Sequence, residues 1–211
     1  MKKEKSKRYM NLIQRIGILY GRLTDQGVKV TTWWAADHFV RILTGAPIRR
    51  VSQITPQLHV GGQYRRRGWH RLARRGITAV VNLRIEFDDN AAGIAPVRYL
   101  YLPTVDDTPP TLDQLSQASA FIAEEVQRGG AVYVHCGAGV GRAATTAAAY
   151  LVSTGLTVRE AWTRIQQVRP FIRPKPAQVE QVARFAAQRQ GQPHPNSGDH
   201  AVEYETEKTG G

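Results

Sequence analysis

Hydrophobic side chains recur at helical spacing along the first fifty residues of the chain. Apolar positions three and four residues apart run from residue 9 to 23, and a second apolar helical segment, 33–43, ends before Gly45 and Pro47. This pattern predicts an N-terminal extension of helices over residues 9–50. The preceding residues 1–8 are mostly charged and polar, which predicts a basic disordered arm.

Residues 51–189 instead alternate short apolar runs with amphipathic segments. The runs are rich in β-branched and aromatic residues and predict strands at 54–62, 77–83, 97–102 and 131–134. Helices are predicted around 69–73, over 112–128 and over 177–188. Two more are predicted between them, one that ends at about 153 and one that begins at about 157. The alternation predicts a single α/β domain in which helices cover a sheet. Residues 190–211 are rich in Gly, Pro, Asn, Ser and Glu and predict a disordered tail.

Length and composition narrow the class of protein. A chain of 211 residues can bury one substantial core, and its single cysteine excludes an internal disulfide and a zinc site built on several cysteines. A lone thiol fits a reducing compartment, so we expect a cytoplasmic location. Apolar stretches stay well short of the roughly 18 residues of a membrane span, and Gln14, Arg15 and Arg22 interrupt the segment that a signal peptide would need.

The net charge of +12 is concentrated at one end of the chain. Residues 1–75 carry 17 Lys and Arg against 3 Asp and Glu, whereas residues 76–211 carry 12 against 14. Such a basic half can contact an anionic membrane surface, a nucleic acid or an acidic partner. A solvated basic face and a helical cap packed on the domain fit the same pattern, and charge alone does not decide among these alternatives.

The strand at 131–134 leads into the segment with the clearest chemical pattern. His135 and Cys136 are followed by an alanine-rich helix, after a loop of Gly137, Ala138, Gly139, Val140, Gly141 and Arg142. The unpaired N–H groups and positive end of such a helix attract an anion and favour the thiolate form of a cysteine. Glycines let the N–H groups of the loop converge on that anion, and the Arg142 guanidinium can hold two phosphate oxygens. We therefore predict a phosphate-binding loop, residues 137–142, with Cys136 as the nucleophile.

The pattern His135-Cys136-x-x-Gly139-x-x-Arg142 resembles the signature loop of cysteine-dependent protein phosphatases, and its surroundings resemble their dual-specificity branch. Segments 54–62, 104–106 and 168–172 are similar to that branch too, so the resemblance covers roughly residues 52–188. It implies a protein tyrosine phosphatase-like fold with a central mixed, mostly parallel sheet. It also implies phosphomonoester hydrolysis through a cysteinyl-phosphate intermediate, without metal or cofactor, and a supporting role for a buried His135.

The departing ester oxygen needs a proton when a thiolate displaces it, so a carboxylic acid should overhang the loop. Asp106 and Asp107 are the candidates, because they lie on a long loop that follows a predicted strand. The resemblance places the general acid at Asp106. Asp88 and Asp89 also follow a strand, but an exposed turn explains them better.

The chain departs from the family pattern at Ala143, where the resemblance implies a Ser or Thr that stabilises the departing thiolate in the second half-reaction. Thr145 and Thr146 lie farther along the helix, and no glutamine can be assigned to the hydrolytic water. Two interpretations stay open: an enzyme that is slow to release phosphate, or a phosphate-binding module with impaired catalysis.

The leading prediction for the substrate is a phosphotyrosine protein, with phosphoserine and phosphothreonine as further targets. Residues 104–112 are also similar to the mitochondrial phosphatidylglycerophosphate phosphatase branch, which implies a phospholipid alternative with the basic N-terminal half at a membrane. Arg65, Arg66, Arg67 and Trp69 are compatible with RNA, but a solvated helix explains them better. No pattern in the sequence indicates the oligomeric state.

Overall fold

A computed structural model describes residues 2–190, and for residues 2–16, 18 and 19 it describes the backbone only. The predicted tail, residues 190–211, therefore lies outside the described residues except for Gln190, as do the side chains of the predicted basic arm. The elements are α1 (Lys2–Thr44), a 3-10 turn (Arg49–Val51), β1 (Leu58–Gly62), α2 (Arg66–Ala73), β2 (Ile77–Arg84), β3 (Arg98–Thr104), α3 (Leu112–Gln127), β4 (Ala131–Cys136), α4 (Arg142–Ser153), α5 (Val158–Val168) and α6 (Pro176–Gln190).

The sheet has four strands in the order β1-β4-β2-β3, and all three pairings are parallel. Every residue of the inner strand β4 is buried, which explains the apolar run over residues 131–134 before His135. The predicted α/β class with a mostly parallel sheet is confirmed. Within residues 2–190, the antiparallel component is an isolated bridge between Gln53 and His59.

Helices cover both faces of the sheet. On one face, α4 packs against β4 and against α3, α5 and α6, and its buried alanines allow this close approach. On the other face, α2 covers a second apolar cluster that includes Tyr64, Leu72, Val80 and Tyr133. Because the four strands are parallel, their carboxyl ends lie at the same edge of the sheet. Parallel α/β sheets bind their ligands at this edge.

The N-terminal extension consists of two helical segments that meet at Gly27, whose φ of 77° and ψ of 169° interrupt α1. The predicted helical extension is confirmed. The second segment and the end of the first contact the domain through three buried polar side chains: Arg22, Asp37 and Arg41. Within the described part of the chain, no helix is long and apolar enough to cross a membrane.

Candidate active site

Cys136 is the last residue of β4, and the loop 137–141 connects it to α4, which begins at Arg142. The sulfur is buried, and it accepts a hydrogen bond from the backbone N–H of Gly139 at 3.3 Å. Arg142 is also buried, at 1% exposure. The strand, loop and helix that the sequence pattern predicts therefore lie together at the carboxyl edge of the sheet.

Gly139 has no room for a side chain. Its φ is 70°, and a Cβ atom there would lie 2.2 Å from the carbonyl carbon of Gly61 in β1. Gly61 is constrained in turn, since a Cβ on it would lie 2.2 Å from the hydroxyl oxygen of Tyr133. Gly139 is needed because the phosphate-binding loop passes directly across β1, and Gly61 is needed because the Tyr133 hydroxyl occupies the position of its side chain.

The loop is held by hydrogen bonds to its carbonyl oxygens. In a trans peptide the N–H group points to the side opposite the carbonyl that precedes it. When a donor binds a loop carbonyl on the side away from the sulfur, the N–H of the next residue therefore points to the side of the sulfur. The hydrogen bond from Gly139 N to Cys136 Sγ has this geometry. The donors to the four carbonyls are Gln63 N to Gly137 O (3.1 Å), Arg169 Nη2 to Ala138 O (2.9 Å), Arg169 Nε to Gly139 O (2.7 Å) and Arg173 N to Val140 O (2.8 Å).

Arg142 is fixed by two carboxylates and two carbonyls. Its guanidinium contacts both oxygens of Glu86 (2.8 and 3.0 Å) and donates to the carbonyls of Leu83 (3.3 Å) and Thr104 (2.7 Å). Asp106 Oδ1 lies 2.8 Å from Arg142 Nη2. The hydrogen bonds from Arg142 lower the pKa of Glu86 to about 2. Burial lowers the pKa of Arg142, but the hydrogen bonds to Glu86 and the nearby negative charges outweigh burial and raise it.

His135 is fully buried beside a carboxylate that the sequence interpretation assigned to an exposed turn. Its Nε2 lies 2.7 Å from Asp89 Oδ2, and the other oxygen of Asp89 accepts a hydrogen bond from Gln63 Nε2 at 2.7 Å. Asp89 is completely buried, so the exposed-turn interpretation is wrong for this residue. The reason is topological: β2 and β4 are parallel neighbours, so the segment after β2 folds over the end of β4. Asp88 is half-buried and accepts a hydrogen bond from the Tyr99 hydroxyl at 2.8 Å.

The two candidate acids have different partners. Asp106 is exposed and lies at Arg142, whereas Asp107 has a φ of 61° and forms an ion pair with Lys175 at 3.2 Å. Their loop is tied to α6, because Gln178 Nε2 donates to the carbonyl of Thr108 at 2.9 Å. The structure thus brings Asp106 to Arg142 at the phosphate-binding loop and Asp107 to Lys175, the residue before α6.

Gln178 is a residue that sequence reasoning missed, since no glutamine could be assigned near the loop. It is buried, and a Cβ on Gly141 would lie 2.9 Å from Gln178 Oε1. Its amide is already engaged with Thr108 O and Lys175 N. Glu86, Asp37 and Arg169 were also missed.

The threonines after Ala143 do not contact the sulfur. Thr145 Oγ1 donates to Gly141 O and Thr146 Oγ1 donates to Arg142 O, each at 3.1 Å. Ala143 itself is fully buried. Among the described residues, the hydrogen-bond donor to the sulfur is therefore the backbone of Gly139.

The described part of the chain contains no group of three or more His, Cys, Asp or Glu side chains that could hold a metal ion. The candidate site instead offers backbone N–H groups and one guanidinium, which suit an oxyanion.

Comparisons with known proteins agree with this geometry. The family model for the dual specificity phosphatase catalytic domain matches residues 58–188. Mouse dual specificity protein phosphatase 14 is 33% identical over 136 residues, which are 64% of this chain and 68% of that protein. Human dual specificity protein phosphatase 1 is 30% identical over 68% of this chain, but the match covers 38% of that longer protein. The crystal structure of PTPMT1 in complex with PI(5)P is 28% identical, with a TM-score of 0.60, and the match covers 64% of this chain and 93% of that one.

Proposed function

The chain belongs to the dual specificity phosphatase catalytic domain family, and on that premise we propose that it hydrolyses phosphotyrosine in proteins, with phosphoserine and phosphothreonine as further substrates. The observation that carries the proposal is that Cys136 Sγ accepts a hydrogen bond from the Gly139 N–H, in a loop whose carbonyl oxygens at residues 137–140 are each bound by another donor. The N–H groups of such a loop bind the non-bridging oxygens of a phosphomonoester, and the phosphorus is then held next to the sulfur.

In the first half-reaction, the Cys136 thiolate attacks phosphorus, and an S–P bond forms as the P–O ester bond breaks. The loop N–H groups and Arg142 stabilise the negative charge on the non-bridging oxygens. The substrate phosphate displaces the Asp106 carboxyl group from Arg142, and Asp106 in its protonated form gives its proton to the departing ester oxygen. In the second half-reaction, water attacks the phosphocysteine and loses a proton to the Asp106 carboxylate, and the thiolate leaves as phosphate is released. Glu86 holds the Arg142 guanidinium in place through both steps.

The rim of the site supports an aryl phosphate. Ile85, Phe87 and Val105 are exposed apolar side chains that adjoin Glu86 and Asp106, the two carboxylates on Arg142. A phenyl ring that carries the phosphate would find apolar surface there, whereas a small alkyl phosphate would leave these side chains in water.

The proposal is tested with a phosphotyrosine peptide and the matched substitution Cys136→Ser, which keeps the shape of the side chain but removes the thiolate. We expect the unchanged protein to release inorganic phosphate, and the variant to fold with the same unfolding midpoint but to release none. Phosphate release by a well-folded Cys136→Ser variant would contradict the cysteinyl-phosphate mechanism.

A phospholipid is the second candidate substrate. PTPMT1, a structural relative, has been crystallised with PI(5)P. Parallel assays on phosphotyrosine peptides, phosphatidylglycerophosphate vesicles and PI(5)P vesicles separate the candidates. Under the leading proposal kcat/KM is highest for the peptide, and a higher value for either lipid would replace it with the second candidate.

A further inference from the structure

Helix α2 presents a row of basic side chains to solvent. Leu72 and Gly68 face the domain, while the side chains on the opposite side are exposed: Arg66, Arg67, His70, Arg71 and Arg74. The last four of these, with Ala73, line an open cavity of about 700 Å³. Within the described residues, none of these arginines forms an ion pair with a carboxylate. Their positive charge is therefore available to an external anion.

Exposed apolar side chains adjoin this row. Phe39, Ile42 and Leu43, near the end of α1, are 61%, 41% and 57% exposed at helical spacing. The guanidinium of Arg67 contacts the carbonyl of Ile42, and the N–H of Arg65 donates to Gly45 O at 2.9 Å. These contacts place the end of α1, which carries the three apolar side chains, against the start of α2, and the three side chains and the basic row of α2 are together called the basic–apolar surface.

We propose that the basic–apolar surface docks on a lipid bilayer that contains anionic headgroups. Arginines can bind lipid phosphates while Phe39, Ile42 and Leu43 insert among the acyl chains, a combination typical of proteins that bind at the membrane interface. Nucleic acid would use the arginines but leave Ile42 and Leu43 in water. The apolar side chains thus favour lipid over a purely polyanionic partner.

The surface lies beside the candidate active site. Gln63 connects the two, because its N–H donates to Gly137 O in the loop and its carbonyl accepts from Arg41 of α1 at 2.9 Å. Helix α2 begins three residues later, at Arg66. The start of α2 therefore lies close to the loop in sequence and in contacts. This binding property goes beyond the proposed phosphatase activity and does not depend on it.

The test measures co-sedimentation of the full chain carrying Cys136→Ser, so that no substrate is turned over. The probes are vesicles of phosphatidylcholine with phosphatidylglycerol, and vesicles of phosphatidylcholine alone. We expect binding to the anionic vesicles only. The double substitution Arg71→Glu and Arg74→Glu should weaken that binding at least about tenfold, because each basic side chain near the bilayer contributes substantially. Phe39→Ser with Leu43→Ser should also weaken it.

Matched controls separate this surface from net charge and general hydrophobicity. Arg159→Glu with Arg184→Glu changes the charge equally at exposed positions of α5 and α6, and Val179→Ser removes an exposed apolar side chain of α6. Both controls should bind as the unchanged protein does. In the Cys136 background, all variants should hydrolyse a soluble aryl phosphate at the unchanged rate, which shows that they fold. Equal binding to neutral vesicles, equal losses in the controls, or retention by RNA without vesicle binding would each overturn the proposal.

Discussion

Asp106 and Asp107 are adjacent in sequence but differ in what their carboxylates contact. Because Asp106 lies at Arg142 while Asp107 pairs with Lys175 just before α6, we expect Asp106→Asn to lower kcat/KM, which reports the first half-reaction, by about a hundredfold or more and Asp107→Asn to leave it nearly unchanged. The measurement compares phenyl phosphate with p-nitrophenyl phosphate. The loss should be larger for phenyl phosphate, whose leaving group has the greater need of a proton.

A loss that is equal for the two substrates would mean that Asp106 orients Arg142 rather than donating a proton. A larger loss in Asp107→Asn would move the general acid to Asp107.

Ala143 has no hydroxyl at the position where the family resemblance implies one. The hydroxyls of Thr145 and Thr146 donate to backbone carbonyls at the start of their own helix. We expect Ala143→Ser to supply a hydrogen bond to the departing thiolate and to raise the steady-state kcat on p-nitrophenyl phosphate by about tenfold. Rapid mixing of the unchanged protein with this substrate should show a burst of one equivalent of p-nitrophenol.

Absence of the burst, together with an unchanged kcat in Ala143→Ser, would show that release of phosphate from the cysteine does not limit the reaction. Ala143→Val is the steric control, since it adds volume without a donor.

The residues that sequence could identify are those whose chemistry is local. Cys136 and Arg142 are separated by one loop, and the strand, glycines and helix around them all lie within that stretch. Glu86 and Asp89 could not be assigned, because their importance arises only when parallel pairing of β2 with β4 places the two strand ends side by side. The order of the strands was the missing information.

At the scale of elements, α1 is linked to the phosphate-binding loop through a buried ion pair. Asp37 Oδ2 lies 3.3 Å from Arg169 Nη2, and both side chains are buried. Arg169 donates to two carbonyls of the loop and to Val51 O at 2.8 Å. Burial lowers the pKa of Arg169, and the charge of Asp37 opposes that change. A helix outside the matched family domain thus helps to hold the phosphate-binding loop.

We expect Asp37→Ala to lower the free energy of unfolding by about 3–5 kcal/mol, since it leaves a buried guanidinium without its counter-charge. Asp37→Asn, which keeps a hydrogen-bond acceptor, should lose less. The inhibition constant of orthovanadate should rise in both, because Arg169 positions the loop. These quantities are measured by urea denaturation and by inhibition of aryl phosphate hydrolysis.

Asp25→Ala is the matched control. Asp25 of α1 pairs with Arg173, four residues after Arg169, but this ion pair lies at the surface. Its loss should stay within about 1 kcal/mol. Equal losses at Asp25 and Asp37 would show that burial of the pair has no special role.

For the molecule as a whole, hydrophobic periodicity predicted the strands and helices well, because parallel strands buried on both faces and amphipathic helices leave distinct patterns. The attachment of α1 could not be predicted, since its contact face is polar: Arg22, Asp37 and Arg41 bind partners far along the chain. Phe39 and Leu43, in the apolar segment 33–43, are exposed.

The stability of the whole fold should depend on pH through His59, which is fully buried in β1. Burial lowers the pKa of His59 from 6.5 to about 4. Between those values the unfolded chain binds a proton that the folded chain does not, so stability falls as the pH drops from 6.5 toward 4, by up to about 3 kcal/mol. Urea denaturation across this range should show a smaller pH dependence in His59→Leu than in the unchanged protein.

His70→Gln, at an exposed position of α2, should keep the full pH dependence. If His59→Leu keeps it as well, another group is responsible for the acid sensitivity.

Tyr133, Gly61 and Gly139 constrain one another in sequence: the tyrosine hydroxyl excludes a side chain at Gly61, and the Gly61 backbone excludes one at Gly139. In evolutionary terms, Gly61 and Gly139 cannot be replaced one at a time, because a side chain at Gly139 would require β1 to move. Descendants of this chain should therefore diversify at the rim and on the helices while these three residues stay together.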